Sequence, residues 1–425
     1  MSRIRISDTN DYFICEGRPF FYLADTVWSA FTNATFEEWE EYLDYRKMQG
    51  FNVLQVNVLP QWDRSTSVND TIPPFKLKPD GSYDFYNINE EYFAKAEKMV
   101  RMAVERGFTP ALFILWAKHV KGSWCWSQEF IIPFDAIKPY VEYIVKVFAK
   151  YNPIFIASGD SNFQEGEEIE KYMEVLKVLK TIFPQCITST HLGGGRLNLP
   201  DEFAGCIDFY MYQSGHIIEQ QNTLPWSMAK HFSKKSVKRP VINSEPCYEG
   251  HRYGERCGKF GEFDVRKAAW YSLLSGAKAG IAYGAHGIWS FHHKGDRFGW
   301  ENCTNPPDDW RSALRFKGAW DMSFAKWLFE TYNLFDILPA EIILDDTDEI
   351  RAASSRDFSK LAIYVPCSVN FRVNRDLSGY EWTLVNLKER NFAKPEIIKI
   401  SEGSFIKMNE FNSDILLIGI SNITC

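Results

Sequence analysis

Short apolar, β-rich runs alternate with helical patterns from residue 21 to about residue 333. Runs at 21–25, 51–59, 109–116, 153–160, 187–191, 208–212, 240–245 and 280–289 predict strands. The first helix opens at a Thr35-x-x-Glu38 capping box and ends at Gly50. Asn89 caps the next, which carries Phe93, Ala96, Val100 and Ala103 at helical spacing and stops at Gly107. Further helices are expected over 136–150, 167–183, 265–278 and 310–332. Strands alternating with helices at this spacing pair in parallel through right-handed crossovers. Eight such units favour closure into a (β/α)₈ TIM barrel over an open sheet.

The pattern changes after Pro339. Runs at 342–344, 360–365, 380–385, 397–400, 405–408 and 415–420, separated by turns, predict a small antiparallel β-sandwich. The expected division is a barrel over 1–338 and a sandwich over 339–425. Few aromatic residues stand at exposed-looking positions of these last strands, which favours a role covering the barrel flank over carbohydrate binding.

Composition sharpens this picture at one point. Hydrophobic residues at 45% and charged residues at 24% are ordinary, but aromatics reach 16% with 14 Trp. Part of that fills the core, and the rest suits a ligand with flat apolar faces, such as a sugar. The net charge is −7, and the nearest approach to a basic run, Lys234-Lys-Ser-Val-Lys-Arg239, reads as a solvated helix end or loop, so nucleic acid is not expected as a partner. The first residues lack the apolar core of a signal peptide, and no apolar run of about 18 residues occurs. The nine cysteines form no CxxC pair and are expected as reduced thiols in a cytoplasmic protein without a membrane partner. Nothing in the pattern specifies an oligomeric state.

A barrel places its chemistry at the C-terminal ends of its strands. There the chain sets Asp25 and Trp28, Asn57, Trp116 and His119, Asp160, His191, Tyr210 and Tyr212, Glu245, and Trp289. Asp160 and Glu245 end the fourth and seventh strands, on roughly opposite sides of the ring, so their carboxyl groups can face each other across the mouth. Glycoside hydrolysis needs such a pair: one acid protonates the leaving oxygen while the other attacks the anomeric carbon or activates water. Taken alone, Asp160 also fits a turn or cap residue, and Glu245 a buried ion-pair partner. Asp25 either contacts substrate hydroxyls or caps the loop carrying Trp28. Trp28, Trp116 and Trp289 are candidates for stacking on sugar faces, against simple packing. Of Tyr210 and Tyr212, at most one is expected to face inward and hydrogen-bond Glu245. His119, His191 and Asn57 are lesser candidates for substrate contact. His286, His292 and His293 lack HxH or HExxH spacing, so neither a metal nor another cofactor is expected. Gly193-Gly194-Gly195 lacks a following Lys-Ser/Thr and reads as a flexible loop rather than a phosphate site.

Three segments carry a family resemblance. Phe20-Phe-Tyr-Leu-Ala-Asp-Thr-Val-Trp28 with the stretch from Thr35 to Gln55 resembles the opening of the apiosidase-like glycoside hydrolases. Ile156-Ala-Ser-Gly-Asp160-Ser-Asn resembles that family's strand-four segment, and Val241-Ile-Asn-Ser-Glu245-Pro-Cys-Tyr-Glu249 its strand-seven Glu-Pro-x-Tyr-Glu. The resemblance covers nearly the whole chain, since many members carry a C-terminal sandwich of the collagen-binding type; collagen binding itself is not inferred. It implies a glycosidase acting on plant-derived oligosaccharides or glycosides, with apiose in branched pectin as the characterised case. It further implies Asp160 as general acid/base and Glu245 as nucleophile of a retaining mechanism. Two departures stand out: Ser158 replaces the usual Gly, and Gly-Asp replaces the Asn-Glu common in the wider clan. The shorter acid leaves retention less secure than the pair. A non-catalytic sugar-binding barrel is the alternative, with a metal-dependent hydrolase behind it.

Overall fold

The computed structural model describes residues 4–61, 64–66, 72–164, 166–299, 304–408 and 412–422. Its centre is an eight-stranded parallel sheet. The barrel strands are β1 (Tyr22–Thr26), β2 (Val53–Asn57), β3 (Thr109–Trp116), β4 (Ile154–Gly159), β5 (Thr188–Ser189), β6 (Tyr210–Gln213), β7 (Val241–Glu245) and β8 (Gly280–Tyr283). All but β5 and β6 pair in parallel with both chain neighbours, and β8 returns to β1. Between β5 and β6 the ring is bridged by an isolated His191–Met211 pairing and by Ser189 Oγ donating to the Phe209 carbonyl. The result is a nearly closed barrel.

The surrounding helices are α1 (Phe36–Met48), α2 (Glu90–Glu105), α3 (Phe134–Phe148), α4 (Gly166–Ile182), α5 (Leu224–Ser233), α6 (Glu262–Leu273) and α7 (Gly318–Thr331). The α1 capping box forms as expected: Glu38 N–H donates to Thr35 Oγ1 and Thr35 N–H to Glu38 Oε2. Asn89 caps α2 through the Glu91 N–H. Lys234 is the C-cap of α5, and the rest of the basic stretch runs on as a loop toward β7. The single helix expected over 310–332 is interrupted, because the chain restarts at Gly318, whose N–H donates to the buried Glu249 carboxylate at 2.9 Å. No α-helix follows β5; a short turn of 3₁₀ helix, Asp201–Gly205, takes its place.

Strand alternation sorts the side chains into two layers. Tyr22, Ala24, Val53, Ala111, Phe113, Ile154, Ile156, Met211 and Ile242 fill the barrel interior, while Leu23, Leu54, Leu112, Phe155 and Tyr212 pack outward against the helices. Two elements go beyond the sequence reading. A three-stranded antiparallel sheet, Ile4–Ile6, Phe13–Cys15 and Arg18–Phe20, joins the barrel interior through Ile4 and Phe13, the latter edge-on to Phe209. A hairpin of Phe75–Leu77 and Tyr83–Ile88 follows β2.

The last part of the chain forms a six-stranded antiparallel sheet and a three-stranded one. The run at 342–344 makes only an isolated bridge from Ile343 to Val373, whereas Leu338–Pro339, Arg351–Ser354, Phe371–Val373 and Asn391–Ala393 are additional strands. These sheets dock on α6 and α7. Arg266 makes paired bonds to Asp414 and a 2.7 Å bond to Asp321, Arg390 also bonds Asp321, and Trp270 stacks on Tyr364. Cys206, Cys247, Cys257 and Cys367 are free thiols. No described helix is long and apolar enough to cross a membrane.

Candidate active site

At the C-terminal mouth of the barrel lies a cavity of about 450 Å³, walled by Trp28, Trp116, Trp124 and Trp289 and reached by Asp160 and Glu245. Its size falls in the range of small-molecule sites, about 300–1,000 Å³. The two acids arrive there by different routes. On β4, Ile154 and Ile156 point inward, so simple alternation also turns Asp160 inward. A left-handed backbone, φ 54°, ends the strand at that residue. Gly159 is required beside it: a Cβ there would stand 2.0 Å from the Trp116 ring.

On β7, alternation would send Glu245 outward with Val241 and Asn243, whose amide bonds Ser272 on α6. A β-bulge reverses this. Tyr212 pairs with Asn243, but the next pair is Gln213 with Glu245, so Ser244 is an extra residue. Its carbonyl is satisfied across the barrel by Gln55 Nε2 at 3.0 Å, and Gln55 is held in turn by the Tyr22 hydroxyl. The bulge re-aims Glu245 into the cavity.

Three groups converge on the Glu245 carboxylate. His216 Nε2 is 3.1 Å from Oε1, His191 Nε2 is 3.4 Å from Oε2, and Tyr248 supplies a hydroxyl while accepting from Trp28 Nε1. Both imidazoles are neutral, because burial pushes His191 down to about 3 and His216 to about 4. Burial raises Glu245 well above the ordinary carboxylate range, and the Tyr248 bond opposes that shift. Tyr248 fits against Gly284, where a Cβ would lie 2.0 Å from its ring.

Of the residues expected from sequence, Trp28, Trp116, Trp289, Asp160 and Glu245 line the cavity and His191 lies directly behind it. The others are placed elsewhere. Asp25 is a correction: it is fully buried on the outer face of β1, ion-paired with Arg46 at 2.6 Å and hydrogen-bonded by Tyr42. Tyr210 and Tyr212 are another. Residues two apart on a strand share a face, and both point outward, donating to the Val237 and Pro225 carbonyls. His119 is buried beside Tyr83 and Phe130, with Nδ1 bonded to the Phe130 carbonyl. Asn57 bonds Gln61 and reaches the cavity only through it. His286, His292 and His293 bond Asn305 and Trp289, Ser65, and Glu38 and Asp296 respectively. Among the described residues no group of three or more His, Cys, Asp or Glu is arranged to hold a metal.

His216, Tyr248, Trp124 and His251 went unrecognised in the sequence. All lie in loops beyond strand ends, and only Tyr248 carried a signal, its place in the Glu-Pro-x-Tyr-Glu motif. The Ser158 departure has a local explanation. With β5 only two residues long, Ser158 Oγ donates to the His191 carbonyl and accepts from its N–H, replacing ladder bonds.

The family model described as "Apiosidase-like, catalytic domain" matches residues 7–336. The chain belongs to the apiosidase-like glycoside hydrolases. This membership makes it a glycosidase, with a carbohydrate as substrate. No curated protein sequence matches it. A solved structure titled "Glycoside hydrolase" superposes with a TM-score of 0.81 at 20% identity, covering 100% of this chain and 98% of its own. A glycoside hydrolase family 5 structure from Bacteroides vulgatus gives 0.80 at 19% identity, covering 99% and 93%. An α-amylase from Lactobacillus plantarum gives 0.54 at 12% identity, covering 94% and 98%. At these identities the likeness speaks for the apiosidase-like chain's fold.

Proposed function

We propose that this glycosidase hydrolyses plant-derived oligosaccharides or glycosides by double displacement, with Asp160 as acid/base and Glu245 as nucleophile. One observation carries the reading: a β-bulge turns Glu245 into an aromatic-walled cavity that Asp160 also reaches, and His216 and Tyr248 hydrogen-bond its carboxylate with His191 Nε2 3.4 Å from Oε2. Such donors favour the charged, acceptor-only form that a nucleophile needs.

In the first step the Asp160 proton passes to the glycosidic oxygen as that bond breaks, and a Glu245 oxygen bonds the anomeric carbon. In the second, Asp160 takes a proton from water, water oxygen replaces the Glu245 oxygen, and both carboxyls return to their starting states. The Trp walls suit the apolar faces of sugar rings.

The test is kinetic. Against a panel of 4-nitrophenyl glycosides that includes an apioside, Asp160→Asn and Glu245→Gln are expected to lose on the order of 10²–10⁴ in kcat with sugar binding intact. A wild-type protein that binds these sugars and turns none over favours the non-catalytic alternative. A second reading follows from the burial of Glu245, since a raised carboxyl also suits a proton donor. The sign of the pH effect separates the two. As nucleophile Glu245 must be ionised, so activity rises with pH through its raised pKa; as proton donor, activity falls there.

A further inference from the structure

One imidazole bonds the main chain of Asp160 and approaches the carboxylate of Glu245. His191 Nδ1 lies 3.1 Å from the main-chain nitrogen of Asp160, and its Nε2 lies 3.4 Å from Glu245 Oε2. A peptide nitrogen only donates, so Nδ1 is the bare, accepting nitrogen. The ring is wholly buried and neutral, which leaves its single proton on Nε2, toward Glu245. The left-handed backbone at Asp160 takes its N–H off the strand ladder and onto this side chain.

The ring has little freedom to leave. Phe113, Trp116 and Trp28 surround it at centroid distances of 5.5, 6.0 and 6.2 Å. Ser158 holds both of its main-chain polar groups. The bond to Asp160 is well formed, whereas the approach to Glu245 is 0.3 Å longer than that of His216, 3.4 against 3.1 Å. At 3.4 Å the two atoms are near but not hydrogen-bonded, and neither has another hydrogen-bond partner.

We propose that His191 is a positioning residue, a bridge that sets Asp160 against Glu245 and donates its Nε2 proton to Glu245 whenever that carboxylate is charged. The inference rests on the reading of Asp160 and Glu245 as the catalytic pair. In the covalent intermediate Glu245 is an ester without charge, so the bond is weakest there and strengthens as the ester breaks. The bridge therefore favours release of the enzyme from the sugar.

The groups facing Glu245 are His191 beyond β5, His216 beyond β6, and Tyr248 of its own loop, with Asp160 beyond β4 in the same cavity and His251 behind His216. Two variants separate the arms of the bridge. In His191→Asn the amide oxygen can take the Asp160 N–H, but the side chain is too short to reach Glu245. In His191→Gln the amide nitrogen can reach Glu245, and the acceptor for Asp160 is lost.

The experiment is the pH dependence of kcat/KM, and the dependence of kcat on leaving-group pKa, on aryl glycosides that the wild type turns over. Thermal melts verify folding. Loss of a donor to a charged carboxylate raises its pKa, so His191→Asn should shift the ascending limb upward by about one pH unit. His191→Gln should leave that limb in place and lose more rate on poor leaving groups than on good ones. If His191→Asn superposes on the wild-type profile with only KM changed, the bridge is overturned. An unchanged leaving-group plot in His191→Gln also overturns it, and decides the matter alone should His191→Asn not fold. Asp160→Asn and Glu245→Gln, measured alongside, tell the failures apart. Wild-type turnover in both overturns the catalytic pair and the bridge with it; loss in both with an unmoved limb overturns only the bridge.

Discussion

At the scale of single residues, the same chemical group serves two ends according to the face it occupies. Glu245 is a carboxylate aimed into a cavity with donors around it, and its burial raises its pKa. The ascending limb of the pH–rate profile should therefore lie above the ordinary Glu range near 4.3, and should vanish in Glu245→Gln. A limb at the ordinary position contradicts the burial argument. Asp25 is a carboxylate aimed outward, and its partner Arg46 is equally buried. Asp25→Ala leaves that guanidinium charged without its carboxylate, and should cost about 3–5 kcal/mol in denaturant melts, far beyond a surface substitution. The two fates differ in legibility. Tyr22 and Ala24 fill the barrel interior, so alternation turns Asp25 outward, a parity that its place at a strand end does not reveal. Glu245 ends its strand as expected, but its inward aim depends on a bulge that no residue type announces.

At the scale of elements, periodicity carried the fold. The apolar runs place seven barrel strands within a few residues, because strand and helix periods differ and Thr35, Asn89, Gly50 and Gly107 mark the changes, whereas the run at 280–289 forms a strand only over Gly280–Tyr283 and turns before Trp289. What escaped was short: the N-terminal three-stranded sheet, the hairpin after β2, and the break before α7. Three-residue strands offer too few positions for alternation to register. The restart at Gly318 answers a tertiary contact with Glu249. The β7 bulge is likewise tertiary, supported by Gln55 from the far side of the barrel. Gln55→Leu leaves the Ser244 carbonyl buried and unpaired, so a loss of about 1–3 kcal/mol is expected. Activity should fall with it, as Glu245 loses its aim. Full activity in a destabilised Gln55→Leu protein would separate the bulge from catalysis.

At the scale of the whole molecule, the terminal sheets are fastened to the barrel through charge as well as apolar packing. Arg266 on α6 lies between Asp414 and Asp321, nearly excluded from solvent. The barrel and these sheets are thus expected to melt in one calorimetric transition. Asp414→Ala should lower stability toward the lower end of about 3–5 kcal/mol, since Asp321 still pairs the arginine. Two separate transitions in the wild type would show that the contact does not couple them.

The central claim is that Glu245 forms a covalent bond to the sugar while Asp160 moves the proton. The most direct measurement is trapping with an activated 2-deoxy-2-fluoro glycoside of a sugar the enzyme accepts, followed by peptide mapping by mass spectrometry. The account predicts one sugar per chain, on the peptide carrying Glu245, with no labelling of Glu245→Gln. Labelling of Asp160, or turnover with inversion and no adduct, would contradict it.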